Sequence, residues 1–219
     1  MHLSKGDTAY RARGPADSVY NLVQGVVKTY FIVPDDSISI SGFHFAGDLF
    51  GLAEEGHYFE TAEAIVPSIA FRIPLEALDA LLVRNGALGK QLLCKLAHDM
   101  RKKQRHTQIL ARNDALGRVA MFLSMLEELS PQRAPDKSVF LPMSRGDAAQ
   151  FVGLTLEAMS RASNGLERAR VVKFLDRHHF VIADRERFEH LVSGDYHPTV
   201  GRAKTPRARS GPAAKKRSK

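Results

Sequence analysis

Apolar residues recur along the chain at two periods, and the change falls at Pro74. Before it, residues 19–23 and 26–33 are β-branched and aromatic runs parted by Gln24-Gly25, while residues 38–41 and 69–73 alternate as half-buried strands do. Pro34-Asp35-Asp36-Ser37 and the glycines of GFHFAGDLFG (42–51) are turn signals. Short strands with a turn about every 8–12 residues predict a sandwich or barrel.

After Pro74 the period is helical. Residues 75–83 form one candidate helix and residues 87–112 a second, free of proline, which would run about 39 Å at 1.5 Å per residue. Within it Leu93, Leu96, Met100, Lys103, Thr107 and Leu110 are spaced alternately three and four apart, the seam of a coiled coil and hence of a dimer. The competing reading is a helix packed on its own barrel, which Leu88, Leu92 and Leu93 would suit. The run RKKQRH (101–106) is too polar for a core and calls for another explanation. Asn113-Asp114 breaks the helix and caps the next, 115–129, whose apolar face is Leu116, Val119, Ala120, Leu123 and Leu126. Residues 130–138, with two prolines, read as a loop.

The twenty residues RGDAAQFVGLTLEAMSRASN (145–164) have the spacing of a helix-turn-helix. Two helices joined by three or four residues need a small contact residue, here Ala149, and a glycine free to take positive φ, here Gly153. Val152, Leu154 and Met159 are the expected buried positions, and Thr155 caps the second helix. Glu157, Ser160 and Arg161 then project from that helix where base edges would lie, with Ala158 and Asn164 beside them. Arginine can bond guanine bidentately and glutamate can accept from cytosine. Ser144 and Arg145 sit where a helix amino end holds phosphate. Glu157 and Arg161 could equally be an exposed i,i+4 ion pair. Residues 171–175, a turn at Asp176-Arg177-His178 and residues 179–182 predict a β-hairpin, the wing of a winged helix.

Charge changes this picture less than its total suggests. The 219 residues hold 32 Lys and Arg against 24 Asp and Glu, a net charge of +8. Eight of the basic residues, and no acidic one, fall in 200–219, so the rest of the chain is neutral overall. That Pro-, Gly- and Ala-rich tail is expected to be disordered, with two roles open to it: counterion-release affinity for any DNA, or a solubilising appendage alone. The lone Cys94 excludes an intrachain disulfide, Cys-rich zinc sites and Cys-ligated clusters, and is itself expected to be a buried small hydrophobe. No apolar run reaches membrane-helix length and MHLSKG has no signal-peptide core, so a cytoplasmic protein without membrane contact is expected.

The order of β-roll, long helix, hinge and winged helix resembles the CRP/FNR family of bacterial transcription regulators, over about residues 5–192. LPMSRGDAAQFVGLTLEAMSR (141–161) carries the likeness most specifically and FHFAGDLFGL (43–52) matches the family's β-roll turn. FGLAEEGHYFETAEAI (50–65) looks most like the FixK branch, and Glu157-x-x-Ser160-Arg161 like the fumarate–nitrate class of recognition helix. The resemblance implies an α+β chain: a β-roll effector-like domain over 1–84, a dimerisation helix over 85–112, a winged helix-turn-helix over 113–197 and the basic tail over 198–219. It further implies a homodimer on a palindromic TTGAT-like site in double-stranded DNA, near genes of microaerobic respiration or nitrogen fixation, with RNA polymerase as a further partner.

Several positions depart from the family pattern. Leu52 and Glu60-Thr61 stand where cyclic-nucleotide binders carry a Glu and an Arg-Ser pair, so a phosphate there would be repelled and no cofactor is expected. Ala158 replaces a phosphate-touching Thr, Ser163 an apolar packing residue, and Arg170 a helix-ending glycine, which should strain the entry to the wing. A haem- or organic-acid-gated sensor of the same fold would use His44, His57 or Tyr58. A cupin-like enzyme would need a His-x-His set where only Phe43-His44-Phe45 occurs, and no nucleophile–base pair or P-loop is visible.

Overall fold

The computed structural model describes residues 1–34, 37–53, 56–129 and 137–194. The tail expected over 198–219, the acids of the 34–37 turn and most of the 130–138 loop lie outside these residues. Strands β1 (His2–Leu3), β2 (Thr8–Tyr10), β3 (Ser18–Gln24), β4 (Val26–Ile32), β5 (Ile38–Phe45), β6 (Leu49–Phe50), β7 (Thr61–Ala64) and β8 (Ser68–Pro74) form two antiparallel four-stranded sheets. Their orders are β1-β8-β3-β6 and β2-β7-β4-β5. Between the sheets lie Leu3, Tyr10, Tyr20, Leu22, Val27 and Phe50 among others, a β-roll core in which the Tyr10 and Tyr58 rings stack at 3.9 Å.

Strand β4 is apolar at nearly every position because both its faces are covered. Val27 points into the roll, whereas Val26 belongs to the core of the carboxy-terminal module. A bulge where Thr29 pairs with Gly42 and Tyr30 with Ile40 re-phases β5. Ile40 and Phe43 therefore both reach that second core. Alternation alone predicted neither the bulge nor that β5 continues unbroken from Ile38 through Phe45.

Two helices follow, α1 (Leu75–Arg84) and α2 (Gly86–Ala111), the latter capped by Asn85, whose side chain accepts from the Leu88 amide. Helix α3 (Ala115–Leu129) begins at Asp114, which accepts from the Gly117 amide. Beyond it come β9 (Val139–Phe140), α4 (Arg145–Phe151), α5 (Leu156–Arg168), β10 (Val172–Phe174), β11 (His179–Ile182) and α6 (Arg185–Ser193). The expected hairpin is present, and β9 makes it a three-stranded sheet in the order β10-β11-β9. Phe122, Leu123 and Leu126 of α3, Leu166 of α5 and Phe188 of α6 fill its core; burying each such side chain contributes about 1.5–3 kcal/mol. Among the described residues no helix is long and apolar enough to cross a membrane.

The expected seam on α2 divides between two faces. Leu93 and Met100 are 68% and 67% exposed, and Thr107 and Leu110 are exposed with them. Leu96 instead lines a cavity against the roll, and Lys103 donates to Ser41 O at 3.1 Å. The outward line is thus Leu93, Ala97, Met100, Gln104, Thr107 and Ala111, again spaced four and three. The run RKKQRH finds its explanation in docking. Lys102 joins Lys95 on the buried Asp48 carboxylate of the roll, at 2.7 and 2.6 Å. Burial alone would raise that carboxyl, but the lysine hydrogen bonds outweigh it and hold it below the usual range. Arg105 pairs with Glu128 of α3. Cys94, expected to be buried, is exposed, because it lies off the face that Lys95, Leu96, Asp99 and Lys102 turn to the roll.

Candidate nucleic-acid interface

The helix-turn-helix is built from α4 and α5 as their spacing predicts. Ser144 closes α4: its Oγ accepts from the Asp147 amide at 3.0 Å and donates to Asp147 Oδ2 at 2.7 Å. That hydroxyl proton is therefore committed to Asp147 in the free chain. Ala149 and Val152 are buried, and Leu154 is half-buried against the same core. Gly153 takes φ +66°, a conformation that residues with a Cβ rarely adopt, so the turn calls for glycine. Thr155 caps α5 by accepting from the Ala158 amide at 3.1 Å.

Helix α5 buries Met159, Ala162, Ser163 and Leu166. Its opposite face carries Glu157, Arg161 and Asn164, all exposed, with Ala158 and Ser160 half-exposed beside them. Glu157 and Arg161 pair at 3.3 Å, with side chains 78% and 71% exposed. A pair so solvated is worth well under about 1 kcal/mol, so it is no obstacle to exchanging one partner for a base. Ser163 satisfies its buried hydroxyl by donating to Met159 O at 2.9 Å. Arg170 has φ +57°, in the left-handed region. It completes a Schellman end in which the Arg170 amide bonds Glu167 O and the Val171 amide bonds Leu166 O.

The amino end of α4 and the wing are held together. The Arg145 guanidinium lies 5.9 Å from the Phe174 ring of β10. At the wing tip Asp176 accepts from the His178 amide at 2.6 Å and contacts His179 Nδ1 at 3.0 Å, which holds its carboxyl below the usual range. Exposed Lys173 and Arg177 flank it.

Residues that the sequence did not single out tie this unit to the rest of the chain. Arg112, at the end of α2, donates to Asp114 Oδ2 at 2.7 Å and to Val192 O at 2.9 Å. A side chain at Gly117 would collide with that guanidinium. Arg118 reaches from Arg112 O, at 2.6 Å, to Gly153 O, at 3.0 Å, linking the hinge to the helix-turn-helix turn. His106 stacks on Phe151 at 3.9 Å and 6°, and its Nε2 lies 2.6 Å from Phe151 O. Burial pushes the His106 ring down from its ordinary value, so it is neutral and donates that bond. Lys28 of β4 bonds Asp147 of α4 at 3.0 Å. The sequence does carry signals of these contacts: RKKQRH is too polar for a core, Lys28 is the one charge in an apolar strand, and Ser144-x-x-Asp147 has capping-box spacing.

Of the residues expected to serve an effector, His44 and Tyr58 line neighbouring cavities that share Ser41, Glu60 and Lys103. His44 lines a cavity of about 200 Å³ with Phe43, Phe50, Leu96, Lys103 and Phe151. Tyr58 gives its hydroxyl to Ser18 O at 2.7 Å, and His57 is exposed. Glu60 lines the same cavity, and its carboxylate is bonded by Ser41 Oγ. Leu52 is exposed. Among the described residues no group of three or more His, Cys, Asp or Glu could hold a metal ion.

Residues 1–85 match the family described as Cyclic nucleotide-binding domain, and residues 117–191 match that described as Crp-like helix-turn-helix domain. The chain is 33% identical over 162 residues to the Fumarate and nitrate reduction regulatory protein of Salmonella typhi and to that of Escherichia coli (strain K12). That alignment takes in 73% of this chain and 65% of each relative. Among solved structures, FixK2 from Bradyrhizobium japonicum superposes with a TM-score of 0.79 at 30% identity, over 87% of this chain and 95% of that one. A transcriptional regulator of the CRP family from Thermus thermophilus, TTHB099, shares the fold, with a TM-score of 0.74 at 21% identity over 88% and 96% of the two chains.

Proposed function

The chain belongs to the CRP/FNR family, in its FixK-like branch, and from that premise we propose that it is a sequence-specific transcription regulator that reads a palindromic TTGAT-like site as a homodimer. The observation that carries this reading is the stripe of exposed Glu157, Arg161 and Asn164 with half-exposed Ser160 on α5, capped by Thr155 and set by Gly153. In the proposed complex α5 lies in the major groove, where Arg161 leaves Glu157 to bond a guanine and Glu157 accepts from a cytosine. Thr155, whose Oγ accepts the cap but retains its own proton, donates to the DNA backbone, while Ser144 and Arg145 meet a second phosphate at the amino end of α4. Ala158 supplies apolar contact only. The outward line of α2 pairs with its counterpart in a second copy, placing two recognition helices about 34 Å apart in successive grooves.

No enzymatic step, cofactor or cyclic nucleotide enters this reading, and its partners are double-stranded DNA, a second copy and RNA polymerase in the cytoplasm. Its targets are genes of oxygen-limited metabolism or nitrogen fixation. Replacing Arg161 by Ala should remove about 1–3 kcal/mol of discrimination at the base it reads, leaving salt-dependent binding to random duplex largely intact. Titrating specific and random duplexes side by side checks this. Equal losses on both would show that Arg161 serves the backbone and reads no base.

A further inference from the structure

We propose that Lys28 and Asp147 form a positioning latch that holds the first helix of the reading head against its own β-roll, so that each protomer presents α5 at a preset angle without an effector. The proposal rests on the reading above that α5 enters DNA.

Lys28 is only 8% exposed, on the face of β4 that Val26 also lines. Its ammonium lies 3.0 Å from Asp147 Oδ1 and 3.4 Å from Glu63 Oε1, with the Lys28 and Asp147 side chains 10% and 17% exposed. Charges withdrawn from water this far are tolerated only when paired, and pairing across two modules fixes where one sits on the other. Asp147 also takes the Ser144 hydroxyl, so the latch grips the first turn of α4 itself.

One turn further along α4, Phe151 sits between Phe43 of β5, at 5.2 Å, and His106 of α2, at 3.9 Å. Asp147 and Phe151 are four apart and share a helix face, so roll and long helix hold α4 at two points on one side. The apolar core is continuous across the same boundary, joining Val26, Ile40 and Phe43 to Phe122 and Phe151. Arg145, Glu157 and Arg161 meanwhile stay exposed. A contact that leaves the reading face open sets the head for binding, where an inhibitory one would cover it.

The test compares the full chain with Lys28→Met, Asp147→Asn and the charge-conserving Lys28→Arg, all carrying Cys94→Ser. Spin labels at Lys5→Cys and Glu186→Cys, in chains diluted with unlabelled ones, report the distance from roll to head. One narrow distance is expected for the parent and for Lys28→Arg, and a broadened or shifted one for Lys28→Met and Asp147→Asn. On DNA, the affinity ratio for a duplex with two inverted TTGAT half-sites over one with a single half-site should fall about tenfold in the same two variants, because the second head no longer meets its site. Half-site affinity should not change in Lys28→Met, whose substitution lies on the roll and away from the proposed DNA contacts. A merely structural role would lower the unfolding midpoint and leave distance and ratio untouched, which overturns the latch. Tighter two-site binding by the variants also overturns it, by making the contact inhibitory. Should Lys28→Met fail to fold, Lys28→Gln gives the same comparison. A parent chain that does not prefer the TTGAT duplex to a scrambled one defeats the DNA reading, and the latch is then judged on the distances alone.

Discussion

Arg170 shows how a single departure from a pattern becomes a measurable cost. The helix end demands a left-handed residue, and at φ +57° arginine provides it against the steric preference of any side chain with a Cβ. Arg170→Gly should therefore stabilise the chain by about 1 kcal/mol, read as a rise in the urea midpoint; a fall would mean that the arginine side chain holds the wing in place. His44 carries a cost that depends on pH. Its removal from water pushes its pKa from 6.5 down to about 3, against the pull of Asp48 and with the push of Lys103, Lys102 and Lys95. The unfolded chain takes up that proton below pH 6.5 while the folded chain does not. Stability should accordingly decline as pH falls through this window, by up to about 1.4 kcal/mol per unit. Between pH 6.5 and 4.5, above the titration of Asp48, His44→Gln should flatten that slope, with the buried His106 contributing in the same sense. An unaltered slope would place the acid sensitivity elsewhere. The caps at Thr155 and Asp114, the turn at Gly153 and the strain at Arg170 were all legible in the sequence, because each is a local demand met by one residue type. Lys28, His106 and Arg118 were not, since their partners lie far along the chain.

Helices with a strong period were legible nearly to their ends: 87–112 was expected and Gly86–Ala111 is found. Strands of two to four residues such as β1, β2, β7 and β9 were not, because so few residues show no alternation and pairing alone defines them. Helix α2 also shows why a heptad count needs a structure beside it. Leu96 and Lys103 satisfy the spacing yet face the roll, while Ala97 and Gln104 take their places on the outward line. Leu93 and Met100 leave apolar surface in water unless a second copy covers it. Met100→Glu should turn the proposed homodimer into a monomer in sedimentation, with the helical circular-dichroism signal retained, since two like charges would meet across the proposed seam. A variant that stays dimeric would move the interface off this face.

The whole molecule is more unified than its charge or its two matched families suggest. The excess of positive charge belongs to residues 200–219 and identifies nothing about the fold. Packing does more: one apolar core runs from β4 and β5 into α3, α4 and α5, and the ion pair Lys28–Asp147 crosses it over 119 residues of sequence. No local pattern reveals such a contact, whereas the helix-turn-helix announces itself within twenty residues. Helix α5 sits against that shared core with Glu157 and Arg161 outward and Ser160 half-exposed beside them, and in the proposed function these side chains read DNA. Selecting bound duplexes from a random pool with the full chain tests that reading most directly. Enrichment of an inverted repeat of TTGAT-like half-sites about one helical turn apart is the predicted result; a pool that stays random after repeated rounds would contradict it.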